Sequence, residues 1–346
     1  MAVIHKVLIE EAIAQALDTT PFSGVVAVDR AGEEVLSRAY GFANRADAIL
    51  NTCNTRFAQA SGSKTFTAAA VCRLVEEGHI TFDARMVDHL ECWPSNFDTG
   101  VTVHHLLTHT SGVPDYFDEE VDDDFEALWA RLPTYQVRTP GDVFPLFADQ
   151  PMKFSPGERF SYCNSGFILL GLMIEQHAEQ PFADYVEAEV FAPAGMNDSG
   201  YFAFDRLPPC TASNYLTDEG PDNPRTNVFT VPAVGQPDGG AFVTAPDMAR
   251  FWSALRNHRL LNPPTTEQML RAHATTGRGE DHYGYGVWIE ARTSGSVIHR
   301  AEGMDPGVSF VSDMWTADDV SITVISNTDG SAWPIYRAIT GAVAEG

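Results

Sequence analysis

The sequence predicts an α/β protein whose strand-bearing part is assembled from both ends of the chain and interrupted by a helical block. Three observations predict it. Strand patterns occur before residue 41 and return only after about residue 239. From Asp83 to about Ala194 the pattern is mostly helices and loops. At 346 residues and 44% apolar content, the chain can bury a sizeable core and divide into two domains. The boundaries expected are 1–82 with 195–346 for the discontinuous α/β domain, and 83–194 for the helical one.

The elements follow in order. Met1 to Leu17 reads as an amphipathic helix. Ser23 to Asp29 (SGVVAVD) is a short apolar strand, Ala31-Gly32-Glu33 a turn, and Val35 to Tyr40 the returning strand of a hairpin. Phe57 to Glu77 contains a helix, because Phe66, Ala69, Ala70 and Leu74 recur at helical spacing and Gly78 stands at C′. The later strands are Gly239 to Thr244, Gly284 to Glu290, Ser296 to Ala301, Val308 to Ser312 and Ser321 to Ser326. A helix over Trp333 to Ala344 closes the chain. Residues 115 to 126 hold eight acids in twelve positions: Asp115, Asp118, Glu119, Glu120, Asp122, Asp123, Asp124 and Glu126. This run reads as a solvated loop entering a helix, or as a lid that disfavours anionic substrates.

Charge narrows the function classes. Twenty-two Lys+Arg against 47 Asp+Glu give a net charge of −25. A nucleic-acid binder neutralises phosphates with basic patches, and an anionic membrane surface repels such a chain. Neither partner is expected, and a small-molecule substrate is. Five scattered cysteines without a CxxC pattern suit reduced thiols, and Glu10 and Glu11 interrupt any signal-peptide core. No stretch approaches the length of a membrane span. A cytoplasmic location is the expectation; the sequence does not indicate an oligomeric state.

Only Lys6, Lys64 and Lys153 are lysines, against 19 arginines. Lys64 lies in Ser61-Gly62-Ser63-Lys64, an S-x-x-K at a helix start. Lys64 is one turn from Ser61, on the same face. A desolvated amine can act as the base that makes a hydroxyl nucleophilic, and the helix N-terminus favours developing negative charge. Ser63 is adjacent to Lys64 and does not share that face. A hundred residues on, Tyr162-Cys163-Asn164 places a phenol and an amide two apart, ahead of an apolar helix from Phe167 to Ile174. A phenol whose pKa is lowered by a neighbouring ammonium can shuttle protons, and an amide can hold substrate and lysine together.

With these residues the chain resembles the serine β-lactamase and penicillin-binding-protein superfamily. It is most similar to the branch of class C β-lactamases, DD-peptidases, D-amino-acid amidases and β-lactamase-like carboxylesterases. The resemblance runs from about Ser23 to Asn327. Besides Ser61–Lys64 and Tyr162–Asn164, it rests on Val103-His-His-Leu-Leu-Thr-His109-Thr-Ser-Gly112, Phe154-Ser-Pro-Gly157, Phe191-Ala-Pro-Ala-Gly-Met196 and the segment Gly239 to Asp247. It implies an antiparallel sheet flanked by helices, a mostly helical inserted domain, and Ser61 acylated in the cleft between them. It also makes His105 and His109, which have a metal-ligand spacing, part of a structural segment; no metal or other cofactor is expected.

The resemblance further implies a strand carrying Lys-Thr-Gly, His-x-Gly or a variant opposite the serine. The matching segment is Ala301-Glu302-Gly303-Met304-Asp305-Pro306-Gly307. Ala301 then stands where relatives carry the cation that holds a substrate carboxylate, a bond worth about 1.5–3 kcal/mol. His299 could substitute only through a bulge or shifted register. Arg300 should point to the other face, and Glu302 away from the cleft into a salt bridge. The N–H groups of Ser61 and Met304 would form the oxyanion hole, with Gly303 permitting close approach. The implied activity is hydrolysis of an ester or amide through a Ser61 acyl-enzyme, with Lys64 and Tyr162 sharing the proton transfers. The alternative is a penicillin-binding or ligand-sensing protein that acylates without efficient turnover.

Overall fold

The computed structural model describes residues 5–345, apart from 122–123, 131, 219, 221–222, 280 and 293–295. The first residues of the predicted leading helix, and Asp122 and Asp123 of the acidic run, lie outside the described residues.

Helix α1 (Lys6–Leu17) leads into β1 (Gly24–Arg30) and β2 (Glu33–Tyr40). They form the predicted hairpin, turning at Ala31 and Gly32, whose φ values of 55° and 81° suit a tight two-residue turn. The rest of the main sheet comes from the far end of the chain. It comprises β3 (Ala274–Thr275), β4 (His282–Tyr283), β5 (Trp288–Ala291), β6 (Val297–Asp305), β7 (Val308–Trp315) and β8 (Val320–Ser326). The eight strands run β2-β1-β8-β7-β6-β5-β4-β3. Every pairing is antiparallel, the sheet that the resemblance implies. One register matters most: Gly24 lies opposite Ser326, which joins the two termini.

The sheet is covered on both faces, so its central strands are apolar on both sides. Helix α1 and the closing helix α5 (Ala332–Glu345) bury Ile9, Ile13, Ile335 and Ile339 against Val26, Val28, Val311 and Ile322. On the other face lie α2 (Lys64–Glu76) and α4 (Ala245–Arg256), with Phe66, Phe251 and Leu255 packed in one core with Phe310 and Ile325. That core continues into α3 (Asn164–Ala178) and the short helices around it.

Two predicted strands differ. Within Gly239–Thr244 only Phe242–Val243 is extended, and it pairs with Phe57–Ala58 outside the main sheet. This small ladder anchors the turn that follows Phe57. The segment Gly284–Glu290 is broken, because Gly284 N–H donates to Val287 O (2.8 Å) and closes the β4–β5 hairpin. Gly286 (φ 67°) lies against α2 there, where a Cβ would come within 2.7 Å of Lys64 O. Thr65 Oγ1 donates to Gly286 O at 2.6 Å and fastens the hairpin to α2.

Candidate active site

Ser61 sits in a 3₁₀ turn, Ala60–Ser63, that feeds directly into α2. The turn is held from outside. Ser63 Oγ donates to Ala60 O (2.9 Å) and accepts from Ala241 N–H (2.9 Å). Ser63 is fully buried and committed to this turn.

Lys64 is 1% exposed. Its Nζ lies 3.0 Å from Ser61 Oγ, 2.7 Å from Asn164 Oδ1 and 2.7 Å from Asp238 O. Two of these partners only accept, while the hydroxyl can also donate. An ammonium can donate to all three; a neutral amine can keep its N–H bonds to Asn164 and Asp238 and turn its lone pair to the serine O–H. Burial pushes the Lys64 pKa down from 10.5, with Asp238 opposing.

Asn164 opens α3, and Asp115 caps that helix. The carboxylate accepts from Asn164 N–H (2.8 Å), Ser165 N–H (2.9 Å), Ser165 Oγ (3.1 Å) and Asn164 Nδ2 (3.3 Å). Asp115 is 7% exposed, so it does not belong to a solvated loop as the acidic run suggested. Burial raises its pKa to about 7. Of its neighbours, Asp118 pairs with Lys153 (2.6 Å) and Glu120 with Arg159 (3.2 Å). These pairs pin the run to the chain just before Tyr162.

Tyr162 lines the cleft with Ser61, and its ring lies 4.8 Å from Lys64 Nζ. The ring stacks on Trp288 and lies tilted against His109, at centroid distances of 6.1 and 4.4 Å. Its pKa is not lowered by the ammonium, as the sequence reading had it. Burial, then the Glu119 charge, pushes it well above 10. These effects favour the protonated phenol.

The two histidines of the metal-like spacing serve different partners. His105 closes a capping box with Thr102, and His109 Nδ1 accepts from Cys163 N–H (3.0 Å). His109 thus positions the segment that carries Tyr162 and Asn164.

The end of β6 lies along the Ala60–Ser63 turn. A Cβ on Gly303 would come within 2.4 Å of Gln59 O and 2.7 Å of Ser61 N and Gly62 N. Only glycine allows this approach, which sets Met304 beside Ser61 at the cleft. Ala301 is buried in the core and contributes no charge. His299 is not available as its substitute. Its Nδ1 lies 3.1 Å from Thr316 Oγ1 and its Nε2 3.0 Å from Leu270 O, both satisfied in the interior. Regular strand register, without a bulge, keeps it there. Arg300 does point to the other face, over Trp333 and Tyr336. Glu302 pairs with Arg300 (3.8 Å) and Arg278 (3.7 Å), yet it also lines the cleft rather than pointing away from it.

These elements enclose a cleft of about 600 Å³ lined by Ser61, Tyr162, Asn164, Gly303 and Met304. Sequence reasoning missed four of its contributors: Asp115, Tyr116, Asp238 and Asp305. Tyr116 O–H donates to Asp238 Oδ2 at 2.5 Å and ties the 115–117 segment to the Pro237-Asp238-Gly239-Gly240 turn. That turn composition was a usable signal, since Pro-Asp-Gly marks a fixed backbone. So was the aromatic pair Tyr116-Phe117 inside an acidic run.

The antiparallel sheet clad by helices, with a serine–lysine pair under its β6 edge, defines a β-lactamase/transpeptidase-like protein. The chain belongs to the Beta-lactamase family, whose model matches residues 9–340. It is similar to a penicillin-binding protein from Bacillus halodurans of known structure: 43% identity, TM-score 0.89, 96% of this chain and 99% of that one covered. Penicillin-binding protein 4* of Bacillus subtilis (strain 168) is 26% identical over 89% of this chain and 68% of its own. Esterase EstB of Burkholderia gladioli is 33% identical over 54% of this chain and 49% of its own.

Proposed function

We propose that the protein is a serine hydrolase that cleaves a small ester or amide through an acyl-enzyme on Ser61. The observation that carries this is the three-way coordination of Lys64 Nζ by Ser61, Asn164 and Asp238. Ser61 Oγ bonds to the acyl carbon while its proton passes to the Lys64 lone pair. The oxyanion rests on the N–H groups of Ser61 and Met304. Tyr162 gives its proton to the leaving group, that bond breaks, and Lys64 reprotonates the phenolate. Water then attacks the acyl ester, its proton returns through the same pair, and Ser61 leaves as the hydroxyl with the acid as product. Asn164 holds the lysine and the substrate carbonyl side of the cleft.

The site needs no metal for these steps. Among the described residues no helix is long and apolar enough to cross a membrane, and all five cysteines are free thiols. Free thiols, two of them exposed, support a reducing compartment such as the cytoplasm.

A second reading is favoured by Ala301 and by the name of the Bacillus halodurans relative: a penicillin-binding protein that acylates and holds the adduct. Turnover of p-nitrophenyl acyl esters separates the two. Hydrolysis abolished in Ser61→Ala supports the hydrolase. A lasting penicilloyl adduct on Ser61, with no ester turnover, supports the second reading and overturns the first.

A further inference from the structure

The 236–240 turn behind Lys64 is tied down on several sides. Gln236 N–H and Gly239 N–H each reach the other's carbonyl, at 2.6 and 3.0 Å. Gly240 N–H donates to Ala60 O (3.1 Å) in the turn that carries Ser61. Thr67 Oγ1, on α2, donates to Pro237 O at 2.6 Å. Tyr116 O–H donates to Asp238 Oδ2 (2.5 Å), while Tyr116 N–H donates to Ser165 Oγ (2.8 Å) on α3. Asp238 O then accepts from Lys64 Nζ at 2.7 Å. One residue thus offers Lys64 a main-chain carbonyl and holds a carboxylate near it, and that residue is only 5% exposed.

The groups that face Lys64 come from several segments. Asp238 is on this turn, Asp115 and Glu119 precede Tyr162, Asp305 ends β6, and His109 and Tyr162 complete the surround. Burial lowers Lys64 from 10.5, and of the carboxylates that oppose it Asp238 acts most strongly. Asp115 is committed to the α3 cap, and Glu119 is exposed, where water and salt screen it. Asp238 in turn faces Lys64, Tyr116, Asp305, Tyr162 and Tyr201. A hydrogen bond donated to a carboxylate favours its charged form. Burial, then the Asp238 charge, holds the Tyr116 hydroxyl well above 10, so it stays a donor throughout the working range.

We propose that Asp238 and Tyr116 are positioning residues for the base: the pair fixes the turn that aims Asp238 O at Lys64 Nζ, and its carboxylate sets the pH at which Lys64 gives up its proton. Both act through Lys64 rather than on the substrate, and the role rests on the hydrolase reading. Burial strips an amine of basicity. A carboxylate held beside it, with little water between, restores part of it, so Lys64 stays basic enough to take the Ser61 proton. Tyr116 acts through Asp238. Without its hydroxyl the buried carboxyl takes up a proton more readily, and the charge that faces Lys64 is lost. Removing that charge destabilises the ammonium, so Lys64 deprotonates at lower pH and the rising limb of kcat/KM moves to lower pH.

The small number of lysines makes this titration readable. Lysine isotope-labelled at Cε gives one NMR signal each for Lys6, Lys64 and Lys153, and Lys64→Arg identifies the signal of interest. In Asp238→Asn the Lys64 midpoint falls by roughly one pH unit, and the rising limb of kcat/KM for p-nitrophenyl acetate moves with it. Tyr116→Phe shifts both the same way, and the double variant goes no further than Asp238→Asn. Thr67→Val removes an uncharged tie of the same turn and, whatever its effect on kcat/KM, leaves the midpoint in place. An unchanged midpoint in a folded Asp238→Asn overturns the role, as does an equal shift in Thr67→Val. If Asp238→Asn does not fold, Tyr116→Phe decides: a midpoint that stays at the wild-type value overturns the pair. A wild type that releases nothing from p-nitrophenyl acetate overturns the hydrolase reading, and the NMR midpoints then decide by themselves whether the pair tunes Lys64.

Discussion

Asp115 and Asn164 are locked together. The carboxylate accepts both the main-chain N–H of Asn164 at 2.8 Å and its side-chain amide at 3.3 Å. That leaves Asn164 Oδ1 aimed at Lys64 Nζ, 2.7 Å away. A buried acid in a loop therefore fixes which end of the amide the lysine meets.

Removing this acid tests the relationship. Asp115→Ala should cost about 1–3 kcal/mol in a urea titration, since it deletes a helix cap and leaves buried donors unpaired. It should also lower kcat/KM more than tenfold. The pH dependence has a definite sign. Burial holds the folded carboxyl at about 7, above its ordinary 3.8, so the native state binds the proton more tightly than the unfolded one. Its contribution is full below about 4 and declines as pH rises toward about 7. The stability gap between wild type and Asp115→Ala should narrow over that window; a gap that widens contradicts it.

Lys64 and Tyr162 are shifted in opposite directions, which a pH–rate profile reads. Burial lowers Lys64 from 10.5 and raises Tyr162 well above 10. kcat/KM should rise with pH as Lys64 loses its proton, with a midpoint below the ordinary lysine value. Deprotonation of Tyr162 should cause no fall below pH 10. Lys64→Arg, which stays charged, should lose at least roughly 10³-fold in kcat/KM at every pH. A profile that is unchanged in Lys64→Arg excludes the lysine as base.

Gly303→Ala forces a Cβ to within 2.4 Å of Gln59 O and 2.7 Å of Ser61 N. The strand must withdraw from the Ala60–Ser63 turn, so Met304 N–H leaves its place. Activity should fall by more than about 100-fold with a stability loss of about 1–3 kcal/mol. Gly341→Ala in α5 meets nothing within 4 Å and should be neutral or stabilising by up to about 1 kcal/mol. Thermal denaturation and ester turnover of the two variants check the contrast.

What the sequence made legible was local. Ser61 and Lys64 are three apart at a helix start, and Tyr162 and Asn164 two apart before another, so spacing alone put each pair on one side. The sheet was legible because β1, β7 and β8 are dominated by apolar and β-branched residues. The acids in and behind the cleft were not. Asp115, Asp238 and Asp305 come from three loops or strand ends, and each was hidden by ordinary neighbours: an acidic run, a turn and a strand terminus. Their burial is set by tertiary contacts such as Tyr116 to Asp238. His299 misled for the same reason. Its two-residue offset from Ala301 was correct, but the same strand face that meets the cleft at Gly303 meets Leu270 and Thr316 one turn of the pleat earlier.

The central claim is that Ser61 carries the acyl group. Wild-type protein quenched in acid during steady hydrolysis of a p-nitrophenyl ester should show, by intact mass and peptide mapping, one acyl addition on the peptide containing Ser61. Ser61→Ala should show none. Turnover by wild type with no acyl addition on that peptide, or the same addition in Ser61→Ala, would contradict the account.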